Sequence, residues 1–289
     1  MKTCFPNPTS REGAFSLIEL LVVAAVVSVL GSIFFVSALC RARQQASESI
    51  CLNNLRHLTL GWQMYVSDNH GVLPSNNDES SQPTSLTNPQ YPQWCPGQMQ
   101  SDADPVGQPT NTAWIKIGQI YPYVGSPAYY RCPADVSTYS GNIAFPTGNK
   151  GNPRVRSYSM NAWINPSVQA VAAFGLSSIP YRIYRQQTDL VVPGAANLVL
   201  LADENPYSIN DPMFWEQPSG AANPPTATEW VDIPAVWHSG AGGLSFTDGH
   251  VQMRLWSDPN LYSARETGVV AVPPRTDLLW LLQRCTARE

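Results

Sequence analysis

Hydrophobic and polar positions divide the chain into an apolar amino-terminal segment and a long remainder of mixed character. Residues 20–39 contain no charged side chain, and only three serines and one glycine interrupt their apolar run. At a rise of ~1.5 Å per residue, an α-helix of this length spans the ~30 Å hydrocarbon core of a bilayer. The pattern therefore predicts a transmembrane helix over residues 17–39.

A second periodic pattern indicates that this helix continues past the apolar segment. Apolar residues recur at alternating spacings of four and three positions, on one helical face: Cys51, Leu55, Leu58, Trp62 and Tyr65. Turn-forming residues from Ser67 to Gly71 end the pattern. The sequence thus predicts one helix over residues 15–66, whose part from 40 to 66 packs on a globular head formed by residues 67–289.

Three segments of the head also predict secondary structure. The apolar run 196–202 predicts a buried central strand, and 230–237 predicts a weaker edge strand because Pro234 cannot donate a ladder hydrogen bond. The tail 276–284 is typical of a short helix capped by its first or second residue. The predicted fold class is α+β, with a long amino-terminal transmembrane helix packed on an antiparallel sheet with extended loops.

The clearest local signal is a β-hairpin within residues 238–256. Asp248-Gly249 is a strong two-residue turn sequence. If these two residues form the loop, the facing pairs are Thr247 with His250, Phe246 with Val251, Ser245 with Gln252 and Leu244 with Met253. This register would place the large apolar side chains on one face of the hairpin and the polar ones on the other.

Composition and charge narrow the classes of function. Charged residues make up 13 % of the chain, below the usual quarter, and the net charge is −4. A chain with this balance and no basic patch is not expected to bind nucleic acid. The sequence has no nucleophile motif beside a base and no phosphate-binding glycine loop. We therefore do not expect an enzyme.

Cysteines and histidines supply two further candidates. Cys95 and Cys132 both precede proline, and they form either a disulfide with each other or two buried free thiols. His238, Asp248 and His250 could approach one another as metal ligands. Asp248 is, however, a residue that a tight turn prefers, which favours a structural role. We expect no cofactor.

The residues at the start of the apolar segment resemble a known processing signal. The run from Phe15 to Val23, FSLIELLVV, is similar to the cleavage and methylation signature of type IV pilins and type II secretion pseudopilins. The resemblance implies a leader of residues 1–14 that a prepilin peptidase removes after Ala14, followed by N-methylation of Phe15. It also implies that Glu19, the fifth mature residue, pairs with the terminal amine of a neighbouring subunit.

One position departs from the family pattern. Glycine usually precedes the cut, whereas here Gly13 lies one residue earlier and Ala14 takes its place. We expect the cut after Ala14, because it keeps phenylalanine first and glutamate fifth. An ordinary signal anchor and a cleaved secretory signal are the alternatives, and Glu19 and the length of the apolar segment count against the second.

A second resemblance lies in the hairpin. His238, nine intervening residues and then Asp248-Gly249 are similar to the H-x9-D-G segment near the carboxyl end of many large pilin-like proteins. This resemblance implies no established chemistry for these residues. Related secretion pseudopilins hold calcium in a loop of the head, which keeps calcium as a candidate ligand.

Patterns and resemblances together predict a pilin-like structural subunit of a type IV pilus or type II secretion-like filament. Its expected partners are a prepilin peptidase, other pilin or pseudopilin subunits and the membrane. Its expected location is the inner membrane, crossed once, with the head in the periplasm or on an extracellular filament. The alternatives are a monomeric membrane-anchored periplasmic binding module and an exported metal-dependent enzyme.

Overall fold

The computed structural model describes residues 16–78, 86, 92–100, 108–139, 144–145, 151–265 and 267–289. The chain divides into two compact units, residues 1–46 and residues 47–289. The predicted leader, residues 1–14, and the predicted first mature residue, Phe15, lie outside the described residues. The processing prediction therefore stays a prediction.

The described residues form helices and strands of very different lengths. The α-helices are α1 Leu17–Asp68, α2 Ala113–Lys116, α3 Tyr121–Val124, α4 Val168–Ala173, α5 Asn260–Ser263 and α6 Thr276–Cys285. Short 3-10 helices span Pro127–Tyr130, Leu176–Ser178 and Gln187–Asp189. The strands are β1 Thr138–Tyr139, β2 Ala144–Phe145, β3 Asn152–Pro153, β4 Tyr158–Asn161, β5 Val199–Asp203, β6 Met213–Phe214, β7 Glu229–Trp230, β8 Ala241–Phe246, β9 Val251–Leu255 and β10 Val269–Val270.

A five-stranded sheet in the order β6-β4-β5-β8-β9 belongs to the second unit. Within it β4, β5, β8 and β9 pair antiparallel in turn, whereas β4 and β6 run parallel. All residues of β5 are buried, which confirms the central strand predicted from the apolar run 196–202. Two small sheets, β2-β1-β3 and β10-β7, lie outside this one.

The predicted fold class is wrong. The sheet is mixed rather than antiparallel, because β6 lies beside β4 and runs in the same direction after the chain has formed β5. A single long helix packed along the sheet is not shown either, because the first part of α1 belongs to the unit 1–46 and only its later part to the unit 47–289.

The predicted location is wrong as well. Across the described residues, none of the helices combines the length and the apolar character that crossing a membrane requires. This finding overturns the transmembrane segment 17–39 and the single-pass placement in the inner membrane. In α1, Glu19 and Arg41 bound the apolar part, and Ser28 and Ser32 interrupt it, with hydroxyls that donate to helix carbonyl groups.

The part of α1 in the second unit buries the face that its periodicity predicts. Cys51, Leu55, Leu58 and Trp62 are buried, and Tyr65 is partly buried. Leu55 and Cys51 approach Gly243 of β8, where a Cβ atom would meet the Leu55 side chain at 2.7 Å. The helix therefore reaches β8 at a position that only glycine leaves open.

The hairpin of β8 and β9 has a register one residue away from the predicted one. Ser245 pairs with Val251, where the sequence predicted Phe246. The backbone N–H of Gly249 donates to the carbonyl of Phe246, and Gly249 takes a φ of +104°. Residues 247–249 thus form a three-residue loop of the kind that ends in a left-handed glycine. The predicted division of the hairpin into an apolar face and a polar face fails, because every residue of β8 is buried.

Of two other predicted elements, the strand over 230–237 is much shorter than predicted, and the helix over 276–284 is present. The strand predicted over 230–237 is reduced to β7, which ends well before the proline of that segment. The predicted tail helix is present as α6, but its N-cap is Arg275, which makes no capping bond. Asp277 does not cap the helix, because its carboxylate accepts backbone N–H groups of Ser257 and Asp258.

Candidate functional site

The first unit presents a long exposed apolar surface on α1. Its large apolar side chains between residues 17 and 39 are 42 % to 75 % exposed wherever the structure describes them. They are Leu17, Ile18, Leu20, Leu21, Val22, Val23, Val26, Val27, Val29, Leu30, Phe35, Val36 and Leu39. Apolar surface of this extent marks a site of interaction.

Glu19, the predicted assembly residue, lies at the start of this surface and bonds with Ser16. Its Oε2 accepts the backbone N–H of Ser16 at 2.8 Å and the Ser16 hydroxyl at 3.0 Å. In return, Ser16 Oγ accepts the backbone N–H of Glu19 at 3.2 Å. This is a capping box. The backbone and hydroxyl bonds from Ser16 lower the pKa of the Glu19 carboxyl below its ordinary value.

The predicted metal trio of His238, Asp248 and His250 does not come together. His238 precedes β8 and Asp248 follows it, so the strand separates them by its full length. His250 is paired with Asp248, its Nδ1 lying 2.7 Å from Oδ1, and both side chains are partly exposed. His250 also stacks on Phe246. Asp248 and Gly249 therefore serve the turn, as their residue types indicate.

A different group of metal-ligating side chains is assembled in the interior. Cys51, Cys132, Asp203 and His238 place one ligand atom each within 4.8 Å of one another, and all four residues are buried. We call this group the Cys–Asp–His cluster. Cys132 Sγ lies 3.3 Å from His238 Nε2, and Cys51 Sγ lies 3.8 Å from Asp203 Oδ2. These four side chains could hold a metal ion.

Four separate parts of the chain supply the Cys–Asp–His cluster. Cys51 comes from α1, Cys132 from the loop after the 3-10 helix Pro127–Tyr130, Asp203 from the end of β5 and His238 from the segment before β8. His238 is fixed by a tight turn in which Ser239 and Gly240 take positive φ. The turn pairs the backbone of His238 with that of Ala241. The sheet and its loops thus set the positions of the ligands.

Neighbouring polar groups hold the cluster in place. Tyr158 pairs with Asp203 across β4 and β5, and its hydroxyl donates to Cys51 Sγ at 3.3 Å. The hydroxyl of Ser157 accepts the backbone N–H of Cys132 at 3.1 Å. Two adjacent residues, one at the start of β4 and one just before it, therefore orient two of the ligands.

Burial sets the protonation of the Cys–Asp–His cluster. It raises the pKa of the Asp203 carboxyl well above its ordinary value, and the nearby Cys132 adds to this. Burial also raises the pKa of the Cys132 thiol and lowers the pKa of the His238 imidazole, which the charge of Glu48 partly opposes. Asp203, Cys132 and His238 on their own therefore favour their neutral forms. A cation at the centre would reverse that preference.

One atom of the cluster stands out. Oδ1 of Asp203 is buried and has no hydrogen-bond partner among the described residues. A buried polar atom left unpaired costs about 1–3 kcal/mol. Such an atom beside two thiols and an imidazole indicates a site shaped for a further group.

The structure shows the second of the two alternatives considered for Cys95 and Cys132, which is two buried free thiols. Cys95 and Cys132 are both free thiols in the structure, so no disulfide joins them there. Cys95 is not a member of the cluster, and burial raises its pKa to about 12 against the opposing charge of Arg156.

Sequence reasoning names one member of the cluster, His238, as a candidate metal ligand, but it expects Asp248 and His250 as the companions of His238. It treats Cys132 as a candidate for a disulfide and predicts Cys51 only as part of a helical face. A Cys-x-x-Cys spacing would have signalled a metal site, but the ligands lie far apart along the chain. Only the fold brings them together.

Comparisons with protein-family models, with curated proteins and with solved structures gave no match to this chain.

Proposed function

We propose that this chain is a structural subunit of a filament of the type IV pilus or type II secretion class, processed and N-methylated by a prepilin peptidase. The observation that supports it most directly is the exposed apolar surface of α1 between residues 17 and 39. In this proposal the surface is covered by the same helix of other copies.

The energetics favour association through this surface. Moving a valine, leucine or isoleucine side chain from water into an apolar contact stabilises by roughly 1.5–3 kcal/mol. Association costs about 4–15 kcal/mol in lost freedom of motion. Burial of several of the exposed side chains therefore offsets that cost, and a helix with apolar residues around its circumference can contact more than one neighbour.

Glu19 supports identical copies as the partners. A helix packed among apolar helices would remove the carboxylate from water, which is unfavourable unless a cation pairs with it. Cleavage after Ala14 would create an ammonium group at Phe15, close in sequence to Glu19. Pairing between the amine of one copy and Glu19 of the next would compensate the charge and set the register between copies.

Two measurements test this function, one on the native protein and one on cysteine variants. Mass spectrometry of the first peptide should find a chain that begins with N-methylated Phe15. Val26→Cys should form crosslinks between copies through α1, in a Cys40→Ser background that removes the one cysteine exposed among the described residues. Val168→Cys, an equally simple change at an exposed valine of the second unit, is the matched control and should crosslink far less.

A monomeric binding module is the competing function. It predicts a first peptide that still contains Met1 or Lys2, together with no excess of crosslinks at Val26→Cys over Val168→Cys. Those two results together would overturn the filament proposal.

A further inference from the structure

We propose that the Cys–Asp–His cluster is a structural zinc site, which joins α1 to the end of β5 and to the loops that contain Cys132 and His238. This inference concerns the second unit of the chain. It does not depend on filament assembly.

Two distances between ligand atoms of the cluster suit a tetrahedral metal site. Zinc lies about 2.3 Å from thiolate sulfur and about 2.0–2.2 Å from imidazole nitrogen or carboxylate oxygen, so the ligands of one tetrahedron are about 3.3–3.8 Å apart. The sulfur of Cys132 and the nitrogen of His238 are 3.3 Å apart. The sulfur of Cys51 and the oxygen of Asp203 are 3.8 Å apart. Both pairs have the separation of ligands on one ion.

The types of ligand favour zinc over the other common cations. Two thiols, an imidazole and a carboxylate form the nitrogen and sulfur set that zinc prefers. Calcium and magnesium require several oxygen ligands, and the cluster supplies a single carboxylate. The calcium considered from the family resemblance therefore does not suit this site. Two thiolates alone would balance the double charge of the zinc ion, and the carboxylate would leave the site with one net negative charge.

The surrounding contacts support the bound form. Oδ1 of Asp203 is buried without a hydrogen-bond partner among the described residues, and a bound metal ion would compensate the charge of this carboxylate directly. The hydroxyl of Tyr158 is directed at Cys51 Sγ, where a thiolate is a better acceptor than a thiol. Polar groups that hold the ligands from outside are a regular feature of metal sites.

The site is closed, which indicates a structural role. The chain itself supplies four ligands, and all four are buried. A catalytic zinc site keeps one position open for water or substrate. The ion would instead fix the position of α1 relative to the sheet, since Cys51 lies on that helix and Asp203 on β5. In this proposal His238 of the H-x9-D-G segment is a zinc ligand.

Metal content of the full-length chain tests the proposal. The protein is purified with a tag that does not bind metal, in the presence of a reductant. Its zinc content is then measured by inductively coupled plasma mass spectrometry. We expect about one zinc ion per chain, since a structural site binds its metal tightly. Cys132→Ser and His238→Ala should lose it. Cys95→Ser, another buried cysteine, and His250→Ala, another histidine, should retain it.

A second measurement covers variants that fail to fold. A chelator should lower the melting temperature of the wild-type protein, and added zinc should restore it, whereas His238→Ala should be insensitive to both. Cobalt in place of zinc should give the absorption bands of tetrahedral coordination with thiolate ligands, and Cys51→Ser should weaken them.

Three results would overturn the proposal. One is a wild-type protein that neither contains zinc nor takes it up after reduction. Another is zinc that both Cys132→Ser and His238→Ala retain. The third is a disulfide between Cys51 and Cys132 in the native protein, which peptide mapping without reduction would detect.

Discussion

Ser16 and Glu19 cap each other at the start of α1, each side chain accepting the backbone N–H of the other. The box satisfies two of the N–H groups that a helix leaves unpaired at its first turn. Glu19 therefore has a local role that is separate from its proposed pairing with the amine of a neighbouring copy. The sequence S-x-x-E before the apolar run carries the signal for this cap. The two roles can be separated by mutation.

Glu19→Gln should be cut and folded normally but should not assemble. Glutamine can replace glutamate in a capping box, so the helix start is retained while the charge is lost. Loss of a charge from a desolvated pair weakens association by at least about tenfold. The measurement is the fraction of copies joined by crosslinks through α1.

Ser16→Ala is the matched control for this change. It removes the hydroxyl of the capping box and leaves the charge of Glu19, so assembly should persist. If Glu19→Gln assembles as well as the wild type, or Ser16→Ala fails to the same degree, the charge pairing is contradicted.

Gly242 and Gly243, side by side in β8, should respond differently to alanine. A Cβ atom at Gly242 would collide with the backbone carbonyl of Ala235, which cannot move without the chain. A Cβ atom at Gly243 would meet the side chain of Leu55 at 2.7 Å, and that side chain can rotate. Overpacking costs typically 1–3 kcal/mol. We expect about 3 kcal/mol for Gly242→Ala and about 1 kcal/mol for Gly243→Ala, measured by urea unfolding; the opposite order would contradict this geometry.

Arg154 is a buried guanidinium whose removal should be costly. Its Nε and Nη2 donate to the hydroxyl of Ser137, its Nη1 donates to the carbonyl of Pro206, and Nη2 lies 3.9 Å from the carboxylate of Asp135. Arg154→Met would leave the buried carboxylate of Asp135 without its cationic partner, although the Ser157 hydroxyl and the Ser137 N–H still donate to it. Removing one partner of a buried ion pair costs about 3–5 kcal/mol.

The measurement for this variant is the free energy of unfolding in denaturant. Arg56→Met, at an exposed arginine of α1, is the control and should change stability by less than about 0.5 kcal/mol. Equal losses in the two variants would show that the buried ion pair contributes nothing of its own.

Local patterns predicted the elements that depend on local periodicity. Cys51, Leu55 and Leu58 form a buried helical face because spacings of three and four match the helix repeat. The apolar run around Val199 becomes the central strand because residues 198–202 contain no polar side chain. Both signals lie within a few residues of the element that they predict.

Predictions failed where distant residues decide the outcome. The predicted register of the hairpin rests on the assumption that only one face of it is buried. Phe246, however, belongs to a strand whose residues are all buried. Asp277 was a plausible helix cap, yet the chain returning through Ser257 takes its carboxylate. The Cys–Asp–His cluster depends on the same long-range folding, so no spacing in the sequence could have identified it.

Glu216 should make the stability fall as the pH rises. Burial raises its pKa well above the ordinary 4.5, and the charge of Glu204 adds to this, although the backbone N–H of Val231 opposes it. Above pH 4.5 the unfolded chain gives up this proton while the folded chain keeps it. Folding therefore becomes less favourable with rising pH, by at most about 1.4 kcal/mol per pH unit for one proton.

Glu216→Gln should flatten this dependence, because glutamine cannot ionise. We expect the variant to gain stability relative to the wild type as the pH is raised from 4.5 towards 8, with urea unfolding at each pH as the measurement. Glu229→Gln, at an exposed glutamate of β7, is the matched control and should follow the wild-type curve. A slope unchanged in Glu216→Gln would mean that this carboxyl keeps its ordinary pKa in the folded protein.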